Sequence, residues 1–195
     1  MTVNFVTHTL RVLTAGLVVS SGAWSYADTL STIKERGEFL LGHRESSSPF
    51  SYVNEKGDPV GYSVDICLKI FDAVKLELKS PSLKLTYVAL KPADRIAAVK
   101  SGRVDVECGS TTNTVERQKD VAFSFTTFVA GARLLASRSA NVKELTDLRG
   151  KTVVVTEKTT TEKVLDQINK ERNLGFNVVK AKDHAINIPT RYGVQ

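Results

Sequence analysis

Strand and helix signals alternate along this chain, and that alternation limits its possible folds more than any other feature. Short apolar or β-branched runs such as Phe39–His43 and Thr152–Thr156 have the length and composition of buried strands. Between them lie segments with helical spacing, in which Ile66, Ile70 and Val74 recur every four residues. Alternation of this kind is typical of an α/β fold with parallel strands.

The same signals define a set of elements and several of their ends. Ser63 and Thr159 are positioned as helix N-caps, and Gly37 and Gly150 as stop signals. The predicted helices cover Thr29–Arg36, 63–78, 92–101, 114–119, Val142–Leu148 and Lys163–Asn173. The predicted strands cover Phe39–His43, Leu83–Leu90, Val104–Glu107, Val121–Ser124, Thr152–Thr156 and Phe176–Val179, with a hairpin turn at Glu55–Asp58.

Polar and basic side chains gather immediately after the predicted strand Val104–Glu107. Residues 110–112 are all Ser or Thr, Asn113 or Thr114 can cap a following helix, and Arg117 lies on its first turns. Hydroxyls, free backbone N–H groups, a helix N-terminus and a guanidinium together form an anion site suited to a carboxylate. The alternative is a capped surface helix that carries an exposed arginine.

Two further arginines follow predicted strands in the same way. Arg44 comes after Phe39–His43, and Arg95 comes shortly after Leu83–Leu90. Because the ends of parallel strands open on one crevice, we expect Arg44, Arg95 and Arg117 to converge. Three guanidinium groups suit a ligand with two carboxylates, since each can bind a carboxylate through two donors.

Several segments together resemble the glutamate/aspartate-binding proteins of polar amino-acid ABC importers. The resemblance covers roughly residues 30–184, and Glu107–Gln118 is its most specific part. It is also carried by His43–Tyr52, Gly61–Asp65, Phe128–Leu135, Asp147–Thr156, Thr159–Glu162 and Ala181–His184. The resemblance implies an α/β, periplasmic-binding-protein-like (type II) two-lobed fold.

The resemblance also implies roles for individual residues. Arg117 would bind the ligand α-carboxylate, and Arg44 and Arg95 would bind its side-chain carboxylate. The other implied ligand-binding residues are Ser110 and Thr112 in the first lobe and Thr160 and His184 in the second. Three of these residues have alternatives: Arg44 could pair with Glu45 or Asp65, Arg95 could lie on a helix surface, and His184 could be structural.

This chain departs from the family pattern at two places. Pro92 stands where the family usually has a hydroxyl, which removes one hydrogen bond to the ligand. The acidic residue that commonly meets the ligand ammonium would lie beyond His184, where the resemblance ends. Both departures predict weaker binding than in the family.

Residues 1–27 have the features of a secretory signal, with a cleavage site between Ala27 and Asp28. Arg11 is their sole charged residue, and the apolar segment Val12–Val19 is far shorter than the roughly 20 residues of a membrane-spanning helix. The alternative is a membrane anchor. Cleavage predicts a periplasmic protein.

The expected organisation is a first lobe over 28–125, a crossover over 126–133 and a partial second lobe over 134–184. Residues 185–195 form a divergent tail without clear periodicity. This pattern predicts a C-terminally truncated relative whose first lobe is nearly complete. The alternative is a complete protein of one and a half lobes.

The mature chain contains two cysteines, Cys67 and Cys108. In an exported protein, such a pair favours one disulfide, although two buried free thiols are the alternative. A catalytic thiol needs a positioned histidine, and neither His43 nor His184 lies in a recognisable nucleophile setting. We therefore expect no catalytic residue.

The formal net charge of +6 invites a nucleic-acid hypothesis, but the lysines are scattered and not interleaved with aromatic residues. The leading interpretation is a monomeric solute-binding protein whose partners are an acidic amino acid and the membrane permease of an ABC importer. The alternatives are an enzyme that uses Glu45 or Glu116, a sensor domain, and an inert product. No cofactor, metal or nucleic acid is expected.

Overall fold

The computed structural model describes residues 28–184, in which helices and strands alternate as expected. The helices are α1 (Thr29–Arg36), α2 (Tyr62–Glu77), α3 (Arg95–Lys100) and α4 (Thr160–Glu171), with short 3₁₀ helices at Arg117–Lys119, Arg138–Ala140 and Leu145–Leu148. The strands are β1 (Glu38–His43), β2 (Ser46–Ser47), β3 (Ser51–Val53), β4 (Pro59–Val60), β5 (Lys84–Ala89), β6 (Val106–Cys108), β7 (Thr152–Thr156) and β8 (Asn177–Ala181).

The first half of the chain is built on a parallel sheet of three strands in the order β5-β1-β6. Leu41 of β1 lies between Tyr87 of β5 and Val106 of β6. One face of the sheet packs on α1 and α2 through a core that includes Ile33, Phe39, Leu41, Leu83 and the two cysteines. A disulfide joins Cys67 in α2 to Cys108 at the end of β6. This linkage fixes α2 against the strand that leads into the predicted anion corner.

A small antiparallel sheet, β2-β3-β4, lies beside this core. The turn of its second hairpin is held by Asn54, whose side-chain oxygen accepts from the N–H groups of Lys56 and Asp58, both at 2.9 Å. The predicted hairpin at Glu55–Asp58 is therefore confirmed. In the same sheet Ser47 of β2 lies opposite Ser51 of β3, and Ser51 Oγ accepts from the N–H of Arg44, the residue after β1.

The second half has its own parallel pair, β7 and β8, and its own core. Helix α4 covers this pair and buries Leu165 against Val153, Val155 and Phe176. Thr159 caps α4, since its hydroxyl accepts from the N–H of Glu162 at 3.1 Å. The predicted strand Thr152–Thr156 is confirmed. The predicted helix Lys163–Asn173 and the predicted strand Phe176–Val179 are both present, with bounds shifted by only a few residues.

Four local predictions were wrong. Residues 121–124 form no strand, because no neighbouring strand in residues 28–184 supplies hydrogen-bond partners for them. The helices predicted at 114–119 and Val142–Leu148 are reduced to single 3₁₀ turns. Ser63 does not cap α2, because its hydroxyl donates to the carbonyl of Gly109 at 2.7 Å.

Helix α2 instead begins after Gly61, whose φ is 123°. A Cβ at this position would lie 2.6 Å from the carbonyl oxygen of Phe50. Both the left-handed backbone and the close approach require glycine here. The tight packing brings the start of α2 against the hairpin and the crevice beside it.

Within the described range, the structure has no helix long and apolar enough to cross a membrane. The predicted signal segment and the divergent tail lie outside the described residues. The division into lobes at 126–133 stays a prediction.

Candidate functional site

The ends of β1, β5 and β6 lie side by side because the three strands are parallel and in register. Arg44 follows β1 directly, Arg95 begins α3 after β5, and the corner after β6 leads to Arg117. Burial is the main cause of the lowered pKa of Arg95, and the charges of Arg117 and Arg44 lower it further. The structure therefore brings the three predicted arginines together at one crevice.

Arg44 is completely buried and has an anionic partner. Its backbone N–H donates to Ser51 Oγ at 2.9 Å, and its Nη2 donates to Asp183 Oδ1 at 2.5 Å. Its Nε and Nη1 are buried without a hydrogen-bond partner among the described residues. The expected alternatives, Glu45 and Asp65, do not pair with it.

Arg95 is also buried, at 4% exposure, but it has a different environment. Its Nε donates to the carbonyl of Pro92 at 3.1 Å, and no carboxylate within residues 28–184 forms an ion pair with it. Burial lowers its pKa to about 10, the nearby carboxylate of Glu107 opposes that shift, and the charges of Arg117 and Arg44 add to it. A buried guanidinium without a direct ion pair is stabilised by an additional anion.

Arg117 lies half-buried in the 3₁₀ helix that follows the anion corner. Its N–H donates to Thr114 Oγ1 at 3.2 Å, but the 3₁₀ turn begins after Glu116, so neither predicted cap, Asn113 or Thr114, caps it. Its side chain donates to the carbonyl oxygens of Thr112 at 2.8 Å and Lys158 at 3.4 Å. Burial lowers its pKa as well.

Glu107 in β6 is a buried carboxylate that the sequence analysis did not assign to the site. Burial raises its pKa, which the charges of Arg95, Arg44 and Arg117 oppose. Its Oε1 has no hydrogen-bond partner in the described part of the chain. An acidic residue one position before the end of a strand was a signal that could have indicated it.

The second half of the chain contributes Asp183, which sequence reasoning also missed as a site residue. Its Oδ1 accepts from Arg44, from Ser46 Oγ at 2.5 Å and from the N–H of His184 at 2.7 Å. Lys91 Nζ lies 3.3 Å from its Oδ2. Burial alone would raise its pKa, but these donors outweigh burial and hold the pKa below its usual range.

The remaining predicted residues lie at the same junction. His184 is half-buried, and its Nδ1 lies 3.1 Å from Ser47 Oγ. Burial and the charge of Arg44 lower the pKa of His184. Thr160 Oγ1 lies 3.2 Å from Thr112 Oγ1, which joins the start of α4 to the anion corner. Ser110 is half-buried in the wall of a cavity of about 340 Å³.

Two aromatic rings, those of Phe50 and Phe128, line that cavity with centroids 4.9 Å apart, and the ring of Tyr62 lies 6.0 Å from Phe128. None of the three arginines lines this cavity, and Arg95 instead lines a neighbouring cavity of about 220 Å³ together with Glu107.

The two carboxylates considered for an enzyme are both bound to lysines at the rim. Glu45 Oε2 lies 2.9 Å from Lys91 Nζ, and Glu116 Oε2 lies 2.7 Å from Lys163 Nζ. The bond to Lys163 lowers the pKa of Glu116, which makes that residue a poor general acid. No group of residues able to hold a metal ion occurs in residues 28–184.

The chain was compared with known protein families after these features had been described: arginines at the strand ends, and a crevice that residues of both halves of the chain line. Residues 39–181 match the bacterial extracellular solute-binding proteins, family 3. The chain belongs to this family.

Its relatives include amino-acid-binding proteins from two bacteria. The chain is 50% identical over 157 residues to the L-glutamate/L-aspartate-binding protein of Pseudomonas aeruginosa, covering 80% of this chain and 52% of the relative. It is 44% identical over 179 residues to the glutamate/aspartate import solute-binding protein of Salmonella typhimurium, covering 91% of this chain and 59% of that relative. The chain thus spans somewhat more than half the length of these relatives.

Solved structures give the same fold. A mutant of ArgBP from T. maritima aligns with a TM-score of 0.67 at 29% identity, over 82% of this chain and 66% of that one. The ancestral amino acid-binding protein AncCDT-1, described as a precursor of cyclohexadienyl dehydratase, aligns at 0.66 and 27% identity, over 82% and 67%. The predicted type II periplasmic-binding-protein fold is confirmed.

Proposed function

We propose that this family member is an extracytoplasmic solute-binding protein that captures L-glutamate or L-aspartate for an ABC importer. The observation that carries the proposal is the guanidinium of Arg95, which is buried without an ion-pair partner in the described residues and is near enough to Arg44 and Arg117 for their charges to lower its pKa beyond the effect of burial. A ligand carboxylate would supply the missing anion. The names of the relatives from Pseudomonas aeruginosa and Salmonella typhimurium support the same ligands and an import role.

The charge of the crevice favours an acidic ligand. Three buried or half-buried guanidinium groups face two carboxylates, those of Glu107 and Asp183, which leaves an excess of positive charge. A glutamate zwitterion carries one net negative charge, whereas glutamine carries none. The crevice therefore complements the acid better than the amide.

In the proposed complex, Arg117 binds the ligand α-carboxylate with help from the hydroxyls of Ser110 and Thr112. Arg44 and Arg95 provide the positive charge at the distal carboxylate. Thr160 and His184 close over the ligand from the other side, where both already lie against first-half residues. Closure around a ligand would present both halves to a membrane permease as a monomer.

Calorimetric titration of the purified full chain with L-glutamate, L-aspartate, L-glutamine and L-asparagine tests this function. We expect both acids to bind at least about tenfold more tightly than their amides, since each tenfold step requires only about 1.4 kcal/mol. Arg117→Ala should weaken all four ligands by about the same factor, because all four share the α-carboxylate. Equal affinity of the wild-type chain for acids and amides would contradict the proposal.

A further inference from the structure

Glu107 carries a carboxylate at the crevice that none of the proposed ligand contacts uses. It lines a cavity of about 220 Å³ together with Arg95 and Thr111. Its Oε1 is buried without a hydrogen-bond partner among the described residues, and so is Thr111 Oγ1. Asp105 lines the same cavity, but Arg36 and a backbone N–H bind its carboxylate. Because a buried anion is costly unless its charge is offset, the groups around Glu107 decide whether it carries a proton.

Positive charges face Glu107 from three other parts of the chain. The guanidinium groups of Arg95 in α3, Arg44 after β1 and Arg117 beyond the corner all favour its anion. Arg44 approaches it at Gly109, where an added Cβ would collide with Glu107 Oε1 and lie 3.0 Å from Arg44 Cγ. These are the same three arginines that the proposed ligand would bind.

Asp183, the other carboxylate of the crevice, has partners that Glu107 lacks. Arg44 pairs with its Oδ1, and Lys91 lies 3.3 Å from its Oδ2. Glu107 forms no ion pair within residues 28–184. Arg44 Nε and Nη1 also have no partner in that range, so this guanidinium still offers donors to a ligand. Glu107 is therefore the carboxylate whose charge depends most on groups that a ligand would share.

An acidic ligand would change the charge balance at Glu107. Its two carboxylates would bind the guanidinium groups that favour the Glu107 anion, and they would place like charge nearby while excluding water. Both changes favour the protonated carboxyl. Glutamine has one carboxylate and no net charge, so its effect on Glu107 would be smaller.

We propose that Glu107 takes up a proton from the solvent when an acidic amino acid binds in the crevice. The proposal rests on the proposed function, which supplies the ligand. Burial already raises the pKa of Glu107 in the ligand-free protein, and a bound carboxylate raises that pKa further. Between the two pKa values the affinity for glutamate falls as pH rises, because the complex holds a proton that the free protein has released.

Calorimetry of the full chain measures this proton directly. At each pH, titrations in two buffers of different ionisation enthalpy give the number of protons taken up per ligand bound. Phosphate and carboxylate buffers are avoided, because these anions would compete for the arginines.

L-Glutamate and L-glutamine are compared at about six pH values between about pH 5.5 and about pH 9. We expect a maximum of at least about 0.3 proton per glutamate and less than about half as much for glutamine. Near that maximum, glutamate affinity should fall by up to about tenfold per pH unit. Glutamine carries the same ammonium group as glutamate, so it corrects for titration of the ligand itself.

Glu107→Gln should remove the glutamate-specific uptake, because the amide cannot accept the proton. Glu116→Gln is the matched control and should keep the wild-type uptake, since Glu116 lies on the exposed rim with Lys163. His43 and His184 are the other crevice groups that can titrate near neutral pH. Uptake that persists in Glu107→Gln would assign the proton to one of these histidines and overturn the proposal.

Infrared difference spectra of wild type, with and without glutamate, keep the proposal testable if Glu107→Gln does not fold. A protonated carboxyl has a C=O band that a histidine lacks, and we expect this band to appear on binding. A chain that prefers glutamate but takes up no proton at any of these pH values defeats only this proposal. A chain that binds neither amino acid defeats the proposed function and this proposal with it.

Discussion

Arg44 and Arg95 have similar sequence contexts but differ in the ion pairs and hydrogen bonds that stabilise their buried charges. Both follow a strand of the first sheet, and both are buried. Asp183 forms an ion pair with Arg44, whose Nε and Nη1 nevertheless have no partner, whereas Arg95 has only the carbonyl of Pro92 as a hydrogen-bond partner within the described residues. Removing one partner of a buried ion pair leaves the other charge desolvated, but removing an unpaired buried charge does not.

This difference gives a stability prediction. Arg44→Met should lower the free energy of unfolding by about 3–5 kcal/mol, because it leaves buried Asp183 with only the exposed Lys91 as a cationic partner. Arg95→Met should cost less, since it removes a desolvated cation without an ion pair, and the repulsion of Arg44 and Arg117 that is lost partly offsets the lost attraction of Glu107. Urea denaturation followed by circular dichroism measures both values. Equal losses in the two variants would show that Arg95 has a partner of its own.

Glu107 should make stability depend on pH in a specific direction. Burial raises its pKa above the ordinary value of 4.5, so the native protein retains a proton that the unfolded chain releases. The contribution of Glu107 to the free energy of unfolding is complete below pH 4.5, and it is lost as the pH rises through the raised pKa. Thermal melts at about six pH values between pH 4 and pH 8 should show this loss of stability in wild type and a smaller loss in Glu107→Gln.

Identical pH profiles for wild type and Glu107→Gln would contradict that assignment. Glu116→Gln is the control, because the pKa of Glu116 is shifted the other way by its bond to Lys163.

At the scale of elements, the sequence was most informative where local pattern determines structure. The strands β1 and β7 and the hairpin turn follow from apolar runs and turn residues. The predicted strand at 121–124 failed because a strand needs a neighbour, which local pattern does not supply. The clustering of the arginines followed from parallel strand order, but Asp183 was missed because its pairing with Arg44 depends on a contact distant in sequence.

The link between α2 and β6 is open to a direct test. Oxidised Cys67 and Cys108 enclose a sequence separation of 41, for which chain entropy gives about 4 kcal/mol of stabilisation. The Cys67→Ala/Cys108→Ala variant should lose about that amount, and reduction of wild type should have a similar effect. Mass spectrometry of exported protein should find a chain two hydrogens lighter than its reduced form. Two thiols that alkylate in the folded protein would contradict the linkage.

At the scale of the whole molecule, two separately packed halves meet through polar contacts around a charged crevice. Each half has its own sheet and its own apolar core. The contacts between them include Arg44 with Asp183, Ser47 with His184 and Thr112 with Thr160. Because these contacts surround the arginines, the charge of a ligand acts on the same groups that hold the halves together.

The central claim is that Arg95 provides the charge that selects an acidic amino acid. Its most direct test is calorimetric titration of wild type and Arg95→Met with L-glutamate and L-glutamine. We expect Arg95→Met to lose about thirtyfold to a hundredfold in affinity for glutamate and only a few-fold for glutamine, because a charge-assisted bond is worth about 2–3 kcal/mol. Equal losses for the two ligands, or undiminished glutamate binding, would contradict the account.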